Sequence, residues 1–262
     1  MIRFRLSILL ILFLIFTNAS AQAKEWQMNK VQHFIVYSRS DVPEDFVNTV
    51  MESAEENYKS VLENIGVSWY QGWSWDRPVL IYIYRDQEDY VQNGAQAGWS
   101  HGAALIATRT IRTFPSDQGF FDAILPHELG HIVLHEFVGL DADVPLWFDE
   151  GVAMFQEKAK RLSANKIVRD ALSNGQFISL TALSDMRLYV NSDPKTIELF
   201  YAESASIVNF MINELGKGHF YKMCIELKEH TKFVDALTKI YMNIYSLDGL
   251  NKKWLNYLQD RS

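Results

Sequence analysis

His127 and His131, four residues apart with Glu128 between them, sit inside a strongly apolar stretch that runs from Phe121 to Val138. A helix turns about 100° per residue, so side chains at this spacing leave one face, one above the other, and can share a metal ion. Glu128 lies one step round the helix, close enough to touch a water on that metal without being a ligand. A second acidic segment, Trp147-Phe148-Asp149-Glu150-Gly151, follows inside another helix-like stretch from Pro145 to Arg161. Eighteen residues separate His131 from Glu150, enough for the first helix to end, the chain to turn at Gly139 and a second helix to return. Two His, one carboxylate and an open fourth position make up a catalytic zinc site, so one Zn2+ per chain is expected on His127, His131 and Glu150. Unpartnered His and Glu in so apolar a helix would be costly, which argues against ordinary surface charges. A purely structural zinc site is disfavoured because such sites are rich in Cys and the chain has one, Cys224.

The chemistry such a site supports is hydrolysis. Glu128 takes the proton of a zinc-activated water as it attacks a carbonyl carbon, then delivers it to the leaving nitrogen. Ligand imidazoles need their second ring nitrogen held by an acceptor, and Asp149 and Glu157 are the nearest candidates. Glu157 follows Glu150 by seven residues, which predicts the same helical face. His135, four residues beyond His131, is either a spare ligand or a residue that caps the helix or packs near the surface. A third His six residues after His131 would mark a different zinc pattern, but position 137 is Phe and the Gly it requires at position 134 is Leu.

Several features place these segments in a chain. Arg3 and Arg5, the apolar run Leu6 to Phe16 and Ala19-Ser20-Ala21 form a secretory signal peptide over residues 1–21, predicting an exported protein, periplasmic or secreted. The run is too short for a membrane span, which needs about twenty residues; an uncleaved amino-terminal anchor is the alternative. No later stretch is long and apolar enough to span. Removing residues 1–21 takes away two arginines and no acid, moving the net charge from −7 to −9. That balance argues against nucleic acid and anionic membrane surfaces, which reward clustered Lys and Arg. A lone cysteine allows no internal disulfide, and Cys224, in an apolar helical segment, is expected in the core rather than as a nucleophile. Residues 22–262 are long enough for one domain, an α/β lobe over 22–140 and a helical lobe over 141–262.

The hydrophobic pattern predicts a strand over 31–37, then a helix from Asp41, as its cap, to about Gly66. A Trp-rich loop over 70–77, a buried strand over 78–84 and a short helix over 86–92 follow. Residues 103–113 read as a strand pair or one long strand. Beyond Arg161 the chain is mostly helical, with segments over 166–172, 197–215, 219–230, 231–241 and 247–258. This order predicts an α+β fold with the zinc in a cleft between a small mixed sheet and a helical lobe.

The segment Leu146-Trp147-Phe148-Asp149-Glu150-Gly151-Val152-Ala153 resembles the W-x-N-E-G-x-A block of gluzincin metallopeptidases. That branch includes aminopeptidase N and leukotriene A4 hydrolase, and the spacing from H-E-x-x-H to Glu matches it. Length and layout resemble the small peptidase MA-like proteins. Phe200-Tyr201-Ala202-Glu203-Ser204-Ala205-Ser206 resembles the Y-E-x-G/A helix of the same families. The resemblance implies a thermolysin-like, gluzincin catalytic fold and assigns Tyr201 to the oxyanion of the tetrahedral intermediate. It also implies that Glu157 has counterparts in aminopeptidase-like relatives, and that an edge strand, here within 103–110, binds extended substrate backbone. The implied activity is a zinc metallopeptidase acting on a peptide or protein substrate. A zinc- and peptide-binding module that no longer cuts is the alternative, and the intact Glu128 argues against it. Hydrolysis of a non-peptide acyl compound stays open on the residues alone. Three departures matter: the G-x-M-E-N motif that grips a free amino terminus is missing, with Gly98-Trp99-Ser100-His101-Gly102 near its place; Asp149 stands where the large enzymes have Asn; and their additional large domains are absent.

Overall fold

A computed structural model describes residues 26–67, 77–94, 102–116, 119–187 and 193–260. The signal-peptide segment, most of the Trp-rich loop and positions 98–101 lie outside the described residues. Five strands form one mixed sheet: β1 (Trp26–Lys30), β2 (Phe34–Arg39), β3 (Val79–Ile83), β4 (Gly102–Leu105) and β5 (Thr110–Thr113). Their order is β1-β2-β3-β5-β4, with β2, β3 and β5 parallel and the two edge strands antiparallel to their neighbours. The residues expected as a single strand over 31–37 instead include the turn of a hairpin, because β1 precedes them and Val31 N donates to the Phe34 carbonyl. Residues 103–113 are a strand pair, turned through a short 3₁₀ segment and by Arg109 in the left-handed region at φ 52°.

One sheet face supplies Phe34, Val36, Val79, Ile81, Ile83 and Ile111, all fully buried. Helix α1 (Glu44–Ile65) buries Val47, Val50, Ala54, Tyr58, Val61 and Ile65 at helical spacing. It ends at Gly66, whose left-handed φ of 83° lets the chain turn off the last carbonyls. Pro43 rather than Asp41 occupies the position before the helix; Asp41 is ion-paired with Arg85 instead. Helix α2 (Gln87–Gly94) follows β3.

From Phe120 onward the described residues hold helices and turns but no strand. A π-type turn at Phe120–Ile124 leads into α3 (Leu125–Val138), the H-E-x-x-H helix, with ten of its residues buried. Then come α4 (Leu146–Gln156), α5 (Lys158–Ser173), α6 (Leu180–Asp185), α7 (Pro194–Asn213), α8 (Lys217–Lys228), α9 (Phe233–Ile240) and α10 (Leu247–Gln259). The helix expected over 145–161 is two helices, broken at Glu157, whose backbone is extended at φ −80°, ψ 98°. A hydrophobic core from Phe34 to Leu258 runs through sheet and helices alike.

Two glycines set the spacing of the motif helices. A Cβ on Gly130, between the two histidines, would stand 2.8 Å from the Ala153 Cα of α4. A Cβ on Gly151, next to Glu150, would stand 2.4 Å from the Ser204 carbonyl oxygen of α7. Each glycine therefore lets two backbones approach to a distance any other side chain would prevent. In this way α3, α4 and α7 carry His127, His131, Glu150 and Tyr201 within one packed layer.

Candidate metal centre

The structure brings His127, His131 and Glu150 together. One ligand atom from each lies within 4.8 Å of the others. The two Nε2 atoms face each other at 3.2 Å, and Glu150 Oε2 lies 3.7 Å from His127 Nε2 and 3.6 Å from His131 Nε2. Glu150 Oε2 is buried and has no hydrogen-bond partner among the described residues. A buried carboxylate oxygen left in that condition is costly, and a cation shared with two imidazole nitrogens removes the cost. By this test the residues fit a zinc ion.

The second nitrogens of both histidines are held. His131 Nδ1 is 2.8 Å from Asp149 Oδ1 and His127 Nδ1 is 2.9 Å from Glu157 Oε1. A carboxylate only accepts, so each Nδ1 carries the proton and donates, leaving Nε2 free to ligate. Glu157 reaches His127 from the break between α4 and α5, and not from the Glu150 face of one continuous helix. His135 lies in the last turn of α3, part-buried, with its carbonyl taking the Gly139 N–H; its Nε2 is 3.1 Å from Asp149 Oδ2, so it also shares this carboxylate with His131. It also falls outside the set of converging ligand atoms.

Charge at the site follows from this packing. Burial alone would lower the His131 pKa, but the hydrogen bond and charge of Asp149, with Glu150 and Glu128, outweigh it and raise it to about 9, so a metal binding at Nε2 would displace a proton from it. Burial would raise the Asp149 carboxyl, and the hydrogen bonds from His131 and His135 instead hold it far below the usual carboxylate range. Glu150 is raised by burial, with the two histidines working against the shift. Tyr201 is half-buried, and burial followed by the charges of Glu150 and Glu128 pushes its hydroxyl up to about 12. The phenol therefore keeps its proton and can donate.

Glu128 is not among the converging ligand atoms. Its Oε2 accepts a hydrogen bond from the Ala104 backbone N–H at 3.0 Å. That donor belongs to edge strand β4, and Ala104 falls within the segment 103–110 expected to carry substrate. The sequence gives no sign of this contact, because a backbone donor leaves no mark on residue identity. Gly102 opens β4 where a Cβ would stand 2.4 Å from the Ile124 Cγ2, so the strand lies hard against the entry to α3. Beside Tyr201 a pocket of about 310 Å³ opens between α5 and α7, walled by Met154, Ala164, Ile167, Ile197 and Ala205. Cys224 is buried, and desolvation pushes its thiol up to about 12.

A mixed sheet, a H-E-x-x-H helix packed behind its edge and a carboxylate returned on the next helix define a metallopeptidase-type fold. The chain belongs to the Peptidase MA superfamily, whose family model matches residues 65–260. Native yeast LTA4 hydrolase is similar in structure, with a TM-score of 0.52 and 16% identity over 87% of this chain. The same yeast enzyme in complex with Bestatin gives a TM-score of 0.48 and 15% identity over 88% of this chain. This chain spans only 38% and 37% of those two structures, and the likeness to the first is one of fold alone. No curated protein matches the sequence significantly.

Proposed function

We propose that the protein is an exported zinc-dependent metallopeptidase. The observation that carries this reading is the meeting of two imidazole Nε2 atoms and a buried Glu150 oxygen that has no hydrogen-bond partner among the described residues, beside Glu128. Zinc bound there supplies Lewis acidity to a water and to the substrate carbonyl. Glu128, held by the Ala104 N–H, accepts the proton of the attacking water. It then hands that proton to the leaving amine nitrogen as the C–N bond breaks. Tyr201, protonated at neutral pH, donates to the developing oxyanion, a contact that contributes about 3–4 kcal/mol to the transition state.

Substrate backbone lies along the edge of β4 by strand addition, beside Glu128, which takes the Ala104 N–H. The apolar pocket beside Tyr201 receives a side chain flanking the scissile bond. Residues 1–21 direct export, and among the described residues no helix is long and apolar enough to cross a membrane. A net charge of −9 after their removal favours a peptide or protein substrate over nucleic acid.

The test is hydrolysis of a mixed peptide library by the mature chain and by Glu128→Gln, with zinc quantified in both. Cleavage by wild type alone, at equal zinc, is the expected result. Equal cleavage by both would remove Glu128 from the chemistry, and no cleavage by either would overturn the peptidase reading.

A further inference from the structure

His127, His131 and His135 occupy successive turns of α3, yet only the first two converge on Glu150. The third meets Asp149, the residue that immediately precedes Glu150 on α4. One carboxylate thus receives two imidazoles, His131 Nδ1 on Oδ1 at 2.8 Å and His135 Nε2 on Oδ2 at 3.1 Å. We infer that His135 is a positioning residue of the metal centre, locking Asp149 so that Asp149 can aim His131. The inference rests on the proposed metal centre and not on hydrolysis.

A carboxylate has acceptors on both oxygens and no donor, so Oδ2 requires His135 to present an Nε2–H. That tautomer turns His135 Nδ1 into an acceptor, and Nδ1 is buried with no partner among the described residues. His135 Nε2 is therefore spent on Asp149, and this histidine, though in register, stands outside the converging set. An amide at position 149 offers a single acceptor oxygen and would satisfy one histidine only. Asp and the third histidine thus form a matched pair. The terminal torsion of an Asp side chain is broad; bonds to both oxygens hold it in one orientation. Because Asp149 adjoins Glu150, the same clamp fixes the first turn of α4, directly before the residue that offers the carboxylate.

The experiment measures zinc affinity by competition with a chromophoric chelator for wild type, His135→Phe, His135→Gln, Asp149→Ala and the double variant Asp149→Ala/His135→Phe. Cobalt-loaded samples are read by visible absorption. Removing an outer partner of a ligand weakens metal binding about 10–100-fold, and His135→Phe is expected at the lower end of that range. His135→Gln, whose side-chain amide can place a donor near the His Nε2, is expected to restore most of the loss. In the Asp149→Ala background His135→Phe is expected to change nothing further, and cobalt band positions are expected to stay fixed in every His135 variant. If His135→Phe does not fold, His135→Asn, too short to reach Asp149, carries the same expectation. Unchanged zinc affinity on loss of His135, or an equal loss with and without Asp149, overturns the inference alone. A changed cobalt coordination number makes His135 a ligand and overturns it too. Failure of wild type to bind zinc overturns the metal centre and this inference together.

Discussion

Glu203 offers a quantitative test of the core behind Tyr201. It lies two residues after Tyr201 on α7 and is fully buried. Its Oε1 accepts the Ile178 backbone N–H at 2.9 Å, while Oε2 has no partner among the described residues. Burial raises its pKa from 4.5 to about 8, and the Ile178 hydrogen bond only partly opposes the shift. A raised carboxyl pKa means that the folded state holds a proton the unfolded chain has already released. The resulting penalty is absent below about pH 4.5, grows through the interval up to about pH 8 and is constant above it. At about 1.4 kcal/mol per pH unit, wild type is expected to lose about 4 kcal/mol from this group between pH 5 and pH 9. Glu203→Gln keeps an acceptor for Ile178 and cannot ionise. Urea unfolding of both proteins at pH 5, 7 and 9 is therefore expected to show near-equal stability at pH 5 and a growing advantage for the variant as pH rises. A difference independent of pH, or one that shrinks toward pH 9, would refute the reasoning.

Other expectations follow from the same geometry. Gly151→Ala drives a methyl group into the Ser204 carbonyl and Val208; denaturant unfolding should show a loss of about 1–3 kcal/mol or more, with weaker zinc binding because α4 carries Glu150. Tyr201→Phe removes an oxyanion donor and should lower kcat about 100- to 1,000-fold, with zinc content and melting temperature nearly unchanged; undiminished kcat would clear Tyr201 of the role. Chelation should expose the cost of the buried Glu150 oxygen: zinc at one hundred times its Kd stabilises the folded state by about 2.7 kcal/mol, read as a higher melting temperature that EDTA abolishes. Ala164→Phe fills the pocket beside Tyr201 and should shift cleavage away from large apolar side chains; an unchanged cleavage pattern would exclude that pocket.

The meeting of His127, His131 and Glu150 was legible because the histidine pair depends on helical periodicity, and a four-residue spacing survives any detail of packing. The return of Glu150 was legible for a similar reason: Gly139, at φ 98°, and the apolar run after Pro145 mark a turn and a new helix. The break at Glu157 was not, because Gln156, Glu157, Lys158 and Ala159 are all good helix formers. Only the tertiary pull of His127 and the packing of α4 and α5 place an extended residue there. The contact of His135 with Asp149 was not legible because its partner lies on another helix, and sequence spacing within α3 says nothing of Asp149. The sheet suffered at its edges: β1 carries Met28, 61% exposed, and Gln27, Asn29 and Lys30, too polar a string to signal a strand. Its backbone pairing with β2 decides its conformation instead. The hydrogen bond from Ala104 to Glu128 was beyond reach for the same reason, since edge backbone groups are set by topology and not by side chains.

Zinc K-edge X-ray absorption of the loaded chain, compared with Glu150→Ala, tests the central claim most directly. The account predicts one zinc per chain with two nitrogen neighbours near 2.0–2.1 Å, oxygen at about 2.0–2.2 Å and no sulfur. It also predicts that Glu150→Ala loses the carboxylate oxygen and binds zinc more weakly. A sulfur shell at about 2.3 Å, or an unaltered spectrum in Glu150→Ala, would contradict it.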